Sequence, residues 1–317
     1  MAAAAAGRVV LAGLLLLTLA SAAVAQAPVK TAELTGRGLT AADFPRMIEL
    51  APNVFAYSAV HVQGVITTNS LIVITTDGVV VVDGQGTEAQ VERMVADIRA
   101  RTSQPIRYVV MGSNHGDHTG GYAAFPSTAT VIAHPTAQAA MQRAASQPAR
   151  GGGPSRVVVP TETVSDSRVL TMGGTEIRIL FLGRSHTGGD LVVHLPAQRI
   201  VFMSETYLHR MFPSVGGGYP SEWIDAIGKA QQLQADVYVP GHGFVDDPAT
   251  LKTELAVFRR ALETLRAEGR RLHAAGVGVD DAPARADFGE FADWSLREAM
   301  APAGLRRVYT EVDGGLR

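Results

Sequence analysis

Short runs of aliphatic residues recur along the chain and predict an alternation of buried strands and amphipathic helices. Residues 79 to 82 are four consecutive valines, a pattern typical of a strand that is covered on both faces. Asp77-Gly78 predicts a hairpin turn before them, after a strand at Thr67 to Thr75. From Glu88 to Ala100 the apolar residues have helical spacing, and Ile106 to Met111 is again a buried strand.

The second half of the chain repeats this alternation. Further strands are predicted at residues 169–170, 176–182, 190–195, 199–203 and 237–239, and further helices at 136–145, 221–234, 248–273 and 291–300. Two sets of strands with helices between them favour an α/β fold, and we expect a four-layer αββα sandwich of two mixed β-sheets with outer helices.

The N-terminus has the pattern of an export signal. Arg8 precedes the apolar run Val9 to Ala20, and Ala23-Val24-Ala25 offers a small-residue cleavage site before Gln26. An uncleaved anchor is the alternative, but the apolar run is short for a bilayer span. We therefore expect a periplasmic or secreted protein without membrane attachment after cleavage. The predicted division is a signal peptide at 1–25, an N-terminal extension at 26–45, the α/β domain at 46–275 and a helical C-terminal tail at 276–317.

Composition narrows the possible chemistry. The formal net charge of −2 gives no electrostatic reason to expect a nucleic acid as partner, and a small-molecule substrate is favoured. The chain has no cysteine, which excludes disulfides, thiolate ligands and cysteine nucleophiles. A metal must therefore be held by imidazole and carboxylate groups, which suit zinc and also iron or manganese. The oligomeric state is left open.

Metal-ligating residue types follow several of the predicted strands. The segment His115-Gly116-Asp117-His118 places two imidazoles and a carboxylate just after the strand that ends at Met111. Four more ionisable residues follow buried strands in the same way: Asp83, His186, Glu205 and His242. Since loops at the carboxyl ends of strands collect functional sites, these residues are candidates for a single metal site.

Three ordered strings resemble the metallo-β-lactamase superfamily: His115-Gly116-Asp117-His118-Thr119-Gly120-Gly121, His186-Thr187-Gly188-Gly189-Asp190 and Pro240-Gly241-His242-Gly243. The resemblance runs from about residue 46 to residue 250. It implies one or two metal ions, usually zinc. It also implies that His115 and His186 bind a first ion, and that Asp117, His118 and His242 bind a second.

The same resemblance implies roles for two more carboxylates. Glu205 stands where the family has a bridging aspartate, and is one methylene longer. Asp83 matches a strand-end aspartate that orients a ligand imidazole.

Ser113 departs from the family, which has a further histidine at this position. A neutral hydroxyl is a far poorer zinc ligand than imidazole, so we expect Ser113 to lie beside the metal ligands and not among them. We therefore expect a robust second metal site and a weaker first one, and a mononuclear protein is an open alternative. Restoring histidine at this position is expected to raise the metal stoichiometry.

The predicted activity is metal-assisted hydrolysis of an ester, lactone, amide or β-lactam-type bond. Asp117 would hold the attacking water or relay its proton. Two alternatives stay open: a metal-binding protein on the same fold that has lost catalysis, and an iron-dependent oxidoreductase.

The remaining candidate site residues lie outside the three strings. His209 and Arg210 follow Glu205 closely and are either substrate contacts or part of an ordinary surface loop. The other histidines, at 61, 134, 194 and 273, have no comparable context and are interpreted as surface or packing residues.

Overall fold

The computed structural model describes residue 1 and residues 31–61, 63–147 and 156–316. The predicted cleavage site and the glycine-rich loop at 151–153 lie outside these residues. Among the described residues, no helix is long and apolar enough to cross a membrane.

Two mixed β-sheets form the centre of the fold. The seven-stranded sheet contains, in spatial order, β1 (Arg46–Ala51), β2 (Val54–Val60), β3 (Thr67–Thr75), β4 (Gly78–Val82), β5 (Ile106–Val110), β6 (Thr130–Ala133) and β7 (Glu162–Thr163). The five-stranded sheet contains β8 (Ser167–Met172), β9 (Thr175–Leu180), β10 (Val192–Leu195), β11 (Ile200–Phe202) and β12 (Val237–Val239), also in spatial order. The helices are α1 (Glu88–Arg99), α2 (Gly116–Thr119), α3 (Pro135–Ala145), α4 (Pro220–Gln231), α5 (Pro248–Ala274), α6 (Ala282–Arg285) and α7 (Arg297–Val312).

The valine run of β4 shows how the layers arise. Successive side chains of a strand point to opposite faces. Val80 and Val82 accordingly join the core between the two sheets, while Val79 and Val81 pack with Met94 and other side chains of α1. All four valines are fully buried, as the continuous apolar run predicts.

The five-stranded sheet is covered in the same way. A core on its outer side joins Val201 of β11 with Trp223 of α4, Phe258 of α5 and Leu305 of α7. The layers therefore run helix, sheet, sheet, helix, and the predicted αββα sandwich is confirmed.

Strand direction brings the candidate ligands to one edge. β4 and β5 pair in parallel in one sheet, and β11 and β12 pair in parallel in the other. Asp83, Ser113, Glu205 and His242 follow the carboxyl ends of these four strands. Parallel neighbours end at the same side of a sheet, so these loops converge.

The C-terminal helix differs from its prediction. It covers Arg297–Val312 rather than 291–300, because Leu296 adopts a left-handed conformation (φ 64°) immediately before it. Pro302 and Gly304 disfavour a helix locally, but a Cβ at Gly304 would lie 2.9 Å from Leu265 Cδ2. Glycine thus permits close packing against α5, and the helix closes the core.

Candidate metal site

Two groups of possible metal ligands meet at the carboxyl ends of the strands. Asp117, His118, His242 and Glu205 form one group, which we call the Asp117 site. His115, His186 and Glu205 form the other, which we call the His115 site. Within each group the ligand atoms lie within 4.8 Å of one another. Glu205 belongs to both groups, and each group is the set that the resemblance implies.

The Asp117 site has distances suited to one small cation. His242 Nε2 lies 3.1 Å from Asp117 Oδ2, 3.2 Å from His118 Nε2 and 3.3 Å from Glu205 Oε1. His118 Nε2 lies 3.4 Å from Asp117 Oδ2 and 3.9 Å from Glu205 Oε1. With bonds of about 2.0–2.1 Å, the ligand atoms of tetrahedral zinc are separated by about 3.3 Å.

The outer ring nitrogens orient the imidazoles of this site. His242 Nδ1 lies 2.9 Å from the carbonyl oxygen of Thr67, and therefore donates to it. His118 Nδ1 lies 3.0 Å from Asp83 Oδ2. In the neutral rings this leaves both Nε2 lone pairs facing each other beside two carboxylates. A cation among them satisfies all four groups at once, so the residues fit a metal.

The His115 site is smaller and more open. His115 Nδ1 lies 2.9 Å from Glu205 Oε2, and His186 Nε2 lies 3.0 Å from Glu205 Oε1. The two imidazole nitrogens are themselves 3.0 Å apart. The side chain of His115 is 42% exposed, against 6% for His186, so solvent reaches the cluster from the His115 side.

The protonation of the cluster reflects its carboxylates. Burial alone would lower the pKa of His115, but Glu205 outweighs it and raises the pKa to about 9. Burial opposes the charged form of His242 too, and the carboxylates of Asp117 and Glu205 raise its pKa to about 10. Conversely, the neighbouring histidines hold the pKa of Glu205 well below its usual range in spite of its burial. The carboxylates thus stabilise positive charge on the imidazoles of the cluster.

Asp83 ties the strand-end loops together. Its Oδ1 accepts hydrogen bonds from the backbone N–H groups of Gly112 (2.6 Å) and Ser113 (3.3 Å). Its Oδ2 accepts one from Ser204 Oγ (2.6 Å) and also lies beside His118. Asp83 is therefore placed to orient a ligand imidazole and to fix two ligand-bearing loops.

Ser113 lies at the base of the cluster, fully buried. Its hydroxyl donates a hydrogen bond to Glu205 Oε2, and it accepts a hydrogen bond from the N–H of His115 (3.3 Å). The serine thus contacts the shared carboxylate at the position where the family has a histidine.

His209 and Arg210 have structural partners away from the ligand cluster. His209 is buried, and its Nδ1 donates to the carbonyl of Phe244 (2.8 Å). Arg210 pairs with the largely buried Glu254 and lies over the ring of Trp294. The substrate-contact hypothesis is therefore corrected: both side chains point into the protein, where His209 bonds the loop after β12 and Arg210 pairs with Glu254 of α5.

His61 is a residue that sequence reasoning missed. It follows β2, and its Nε2 lies 3.5 Å from Asp117 Oδ2. Its Nδ1 accepts a hydrogen bond from the N–H of Gln63 (3.1 Å), so the neutral ring presents an Nε2–H towards Asp117. No glycine-rich or histidine-rich string surrounds it, and only the tertiary structure brings it to the site.

Asp190, the last residue of the second string, supports the loop that carries His186. Its carboxylate accepts hydrogen bonds from Thr187 N (2.7 Å), Thr187 Oγ1 (2.8 Å) and Ser185 Oγ (2.8 Å). These bonds fix the turn that carries His186. Its place at the end of the string that begins at His186 is the sequence signal that could have indicated this role.

The two sheets carry a thiol-free cluster of histidines and carboxylates at the carboxyl ends of their strands. This cluster and the αββα layers together define a class of metal-binding proteins. The family model of the metallo-beta-lactamase superfamily matches residues 64–242, more than half of the chain. The chain belongs to this superfamily.

Individual relatives are distant. A type 2 metallo-beta-lactamase from Bacillus sp. (strain 170) is 24% identical over 191 residues, which are 59% of this chain and 70% of the relative. A linear primary-alkylsulfatase from Pseudomonas sp. (strain ATCC 19151) is 24% identical over 210 residues, 53% of this chain but only 40% of that protein. The chain thus spans less than half of the alkylsulfatase.

Solved structures agree on the fold. A metallo-beta-lactamase from Pontibacter korlensis superposes with a TM-score of 0.59 at 22% identity, covering 69% of this chain and 99% of the other. The structure of DIM-1 metallo-beta-lactamase gives a TM-score of 0.56 at 21% identity, covering 69% and 97%. At such low identity the likeness shows the architecture alone.

Proposed function

We propose that this protein is a metal-dependent hydrolase that acts on an ester, lactone, amide or β-lactam-type bond. The observation that carries the proposal is the pair of ligand groups joined by Glu205. The hydrolases among the relatives support it. We further propose zinc as the metal, bound first at the Asp117 site, where four protein groups converge.

Each residue of the cluster has a distinct part in this chemistry. A bound divalent ion supplies a water of lowered pKa and polarises the oxygen of the scissile group. The Asp117 carboxylate faces the site beside His242 and would hold the attacking water by accepting a hydrogen bond from it. His118 is held in one orientation by Asp83, and the exposed side of His115 leaves room for a substrate to approach.

Two alternative functions give different experimental outcomes. A serine at position 113, where the family has a histidine, is compatible with a metal-binding protein that has little or no turnover. A thiol-free donor set also accepts iron, which an iron-dependent oxidoreductase would need. Metal analysis of the purified protein separates zinc from iron. Turnover then separates an enzyme from a binding protein.

The test is hydrolysis of an ester, a lactone, an amide and a cephalosporin by the purified protein, with and without chelator. We expect at least one substrate to be cleaved, the activity to be lost with chelator and zinc to restore it. His118→Ala removes a fully buried ligand and should abolish both tight zinc binding and turnover.

His273→Ala is the matched control, because this histidine pairs with Asp313 at the surface. It should keep the activity of the natural sequence. Chelator-resistant hydrolysis, or an active His118→Ala variant, would contradict the proposal. Zinc binding without turnover of any substrate would favour the binding protein.

We also propose that the protein acts outside the cytoplasm, on the strength of its N-terminal sequence. N-terminal sequencing of the mature protein should find Gln26 or a close neighbour first. An intact Met1 in a soluble cytoplasmic fraction would contradict this.

A further inference from the structure

Ser113 and Glu205 are brought together by a shared anchor. The N–H groups of Gly112 and Ser113 and the hydroxyl of Ser204 all donate to Asp83. The loops that follow β5 and β11 are therefore fixed on the same carboxylate. A Cβ at Gly112 would lie 2.6 Å from Ser204 Cβ, so the two loops are in close contact.

This anchoring aims the two side chains at each other. Ser113 is fully buried and Glu205 is 3% exposed, so neither exchanges its partner for water. The serine hydroxyl donates to Glu205 Oε2, which also faces His115. Oε1 is then left to face His186 (3.0 Å) and His242 (3.3 Å), one ligand from each site.

We infer that Ser113 is a positioning residue that fixes Glu205 as the carboxylate shared by the two metal sites, and that the two residues work as a matched pair. The inference deepens the proposed function and rests on it. The small serine leaves room for the glutamate carboxylate, and the length of the glutamate lets it reach the hydroxyl. A fixed carboxylate loses less conformational entropy when a cation binds than a mobile one does.

The pairing also changes what a histidine at position 113 would do. The space beside Ser113 Oγ is occupied by the Glu205 carboxylate, so an imidazole there collides with it. Ser113→His alone therefore should not add a ligand, against the expectation from the sequence. Shortening the partner by Glu205→Asp makes the room that the imidazole needs.

The experiment is zinc titration of metal-free protein by calorimetry, with bound metal counted by elemental analysis. Ser113→Ala should weaken zinc binding about tenfold, the lower range for loss of a group that supports a ligand. In the Glu205→Asp background the same change should have little effect, because the shorter carboxylate no longer reaches the hydroxyl. Ser113→His should not raise the stoichiometry, whereas Ser113→His with Glu205→Asp should bind more zinc than Ser113→His alone.

Ser221→Ala is the matched control. It also removes a serine-to-glutamate hydrogen bond, from Ser221 Oγ to Glu311 Oε2 (2.9 Å), but at the start of α4. Its zinc affinity should be that of the natural sequence, and thermal melts of all variants should show that each is folded.

The outcomes separate this inference from the function it rests on. If the natural protein binds no zinc and no other divalent metal, the proposed function fails. If it binds zinc and Ser113→Ala binds it equally well, only the positioning role fails. A rise in stoichiometry on Ser113→His alone would overturn the matched pair.

Discussion

At the scale of single residues, the site depends on the ligands and also on the residues that hold the ligands and their loops in place. Asp83 accepts from three loop donors and lies 3.0 Å from His118. His209 is a buried residue of a different kind: its backbone N–H bonds the carbonyl of His242 and its side chain bonds the carbonyl of Phe244, so it supports the loop that carries a ligand. Asp83 should therefore affect zinc binding, and His209 should affect the stability of the fold.

Asp83→Asn should weaken zinc binding by roughly 10- to 100-fold and lower the melting temperature, because an amide nitrogen cannot accept from Ser204 or His118. Calorimetric titration and thermal melts measure the two effects. Asp236→Asn is the control, since it removes only solvent-exposed ion pairs with Arg199 and Lys252, which contribute little to stability. Unchanged zinc affinity in Asp83→Asn would refute the anchoring role.

His209 should make stability depend on pH. Burial holds its pKa at about 4, below the ordinary 6.5, in spite of its hydrogen bond to Phe244. Below pH 6.5 the unfolded chain therefore binds a proton that the folded protein rejects. The stability that neutral His209 contributes is fully present above pH 6.5 and is lost as the pH falls towards 4. The free energy of unfolding then decreases by about 3 kcal/mol.

His209→Asn keeps a donor near the Phe244 carbonyl and removes this titration. Denaturant unfolding from pH 7 to pH 4 should show a shallower loss of stability in the variant than in the natural sequence. Equal slopes in the two proteins would show that His209 does not titrate in this way.

At the scale of elements, the site depends on how closely strand-end loops approach. Glycine at position 112 permits the contact between the loops after β5 and β11, whereas Gly116, in α2, has open space around its Cβ position. These two glycines are thus not equivalent, although only four positions of the sequence separate them.

Gly112→Ala should destabilise the protein by about 1–3 kcal/mol, because the new methyl group overlaps Ser204 and displaces a loop. It should weaken zinc binding too, since both loops carry site residues. Gly116→Ala, the control, should leave the free energy of unfolding within about 1 kcal/mol of its original value. Similar losses in the two variants would contradict the role of loop contact.

At the scale of the whole molecule, metal binding and folding are linked. The ligands come from loops of both sheets, so zinc binds the folded state far better than the unfolded one. Zinc at 100 times its dissociation constant should stabilise the protein by about 2.7 kcal/mol. For a chain of 317 residues, the melting temperature should rise by roughly 4 °C.

A thermal melt with and without zinc measures this shift, and chelator should reverse it. Magnesium, which prefers oxygen ligands and keeps its waters, is the control ion and should give little change. A zinc-independent melting temperature would argue against a site that spans the two sheets.

The sequence by itself determined the alternation of strands and helices and the αββα class, because periodicity and strand-end chemistry are local properties of the chain. It also placed the candidate ligands after buried strands and indicated the superfamily. The tertiary structure alone decided which of these loops meet. Ser113 and Glu205 are 92 positions apart, and His61 lacks any local motif. His209 turns inward to bond the carbonyl of Phe244, and Arg210 turns inward to pair with Glu254 of α5. Contacts of this kind depend on how the two sheets stack and on where their strands end. No local sequence pattern encodes the separation in space between residues that are far apart in the chain.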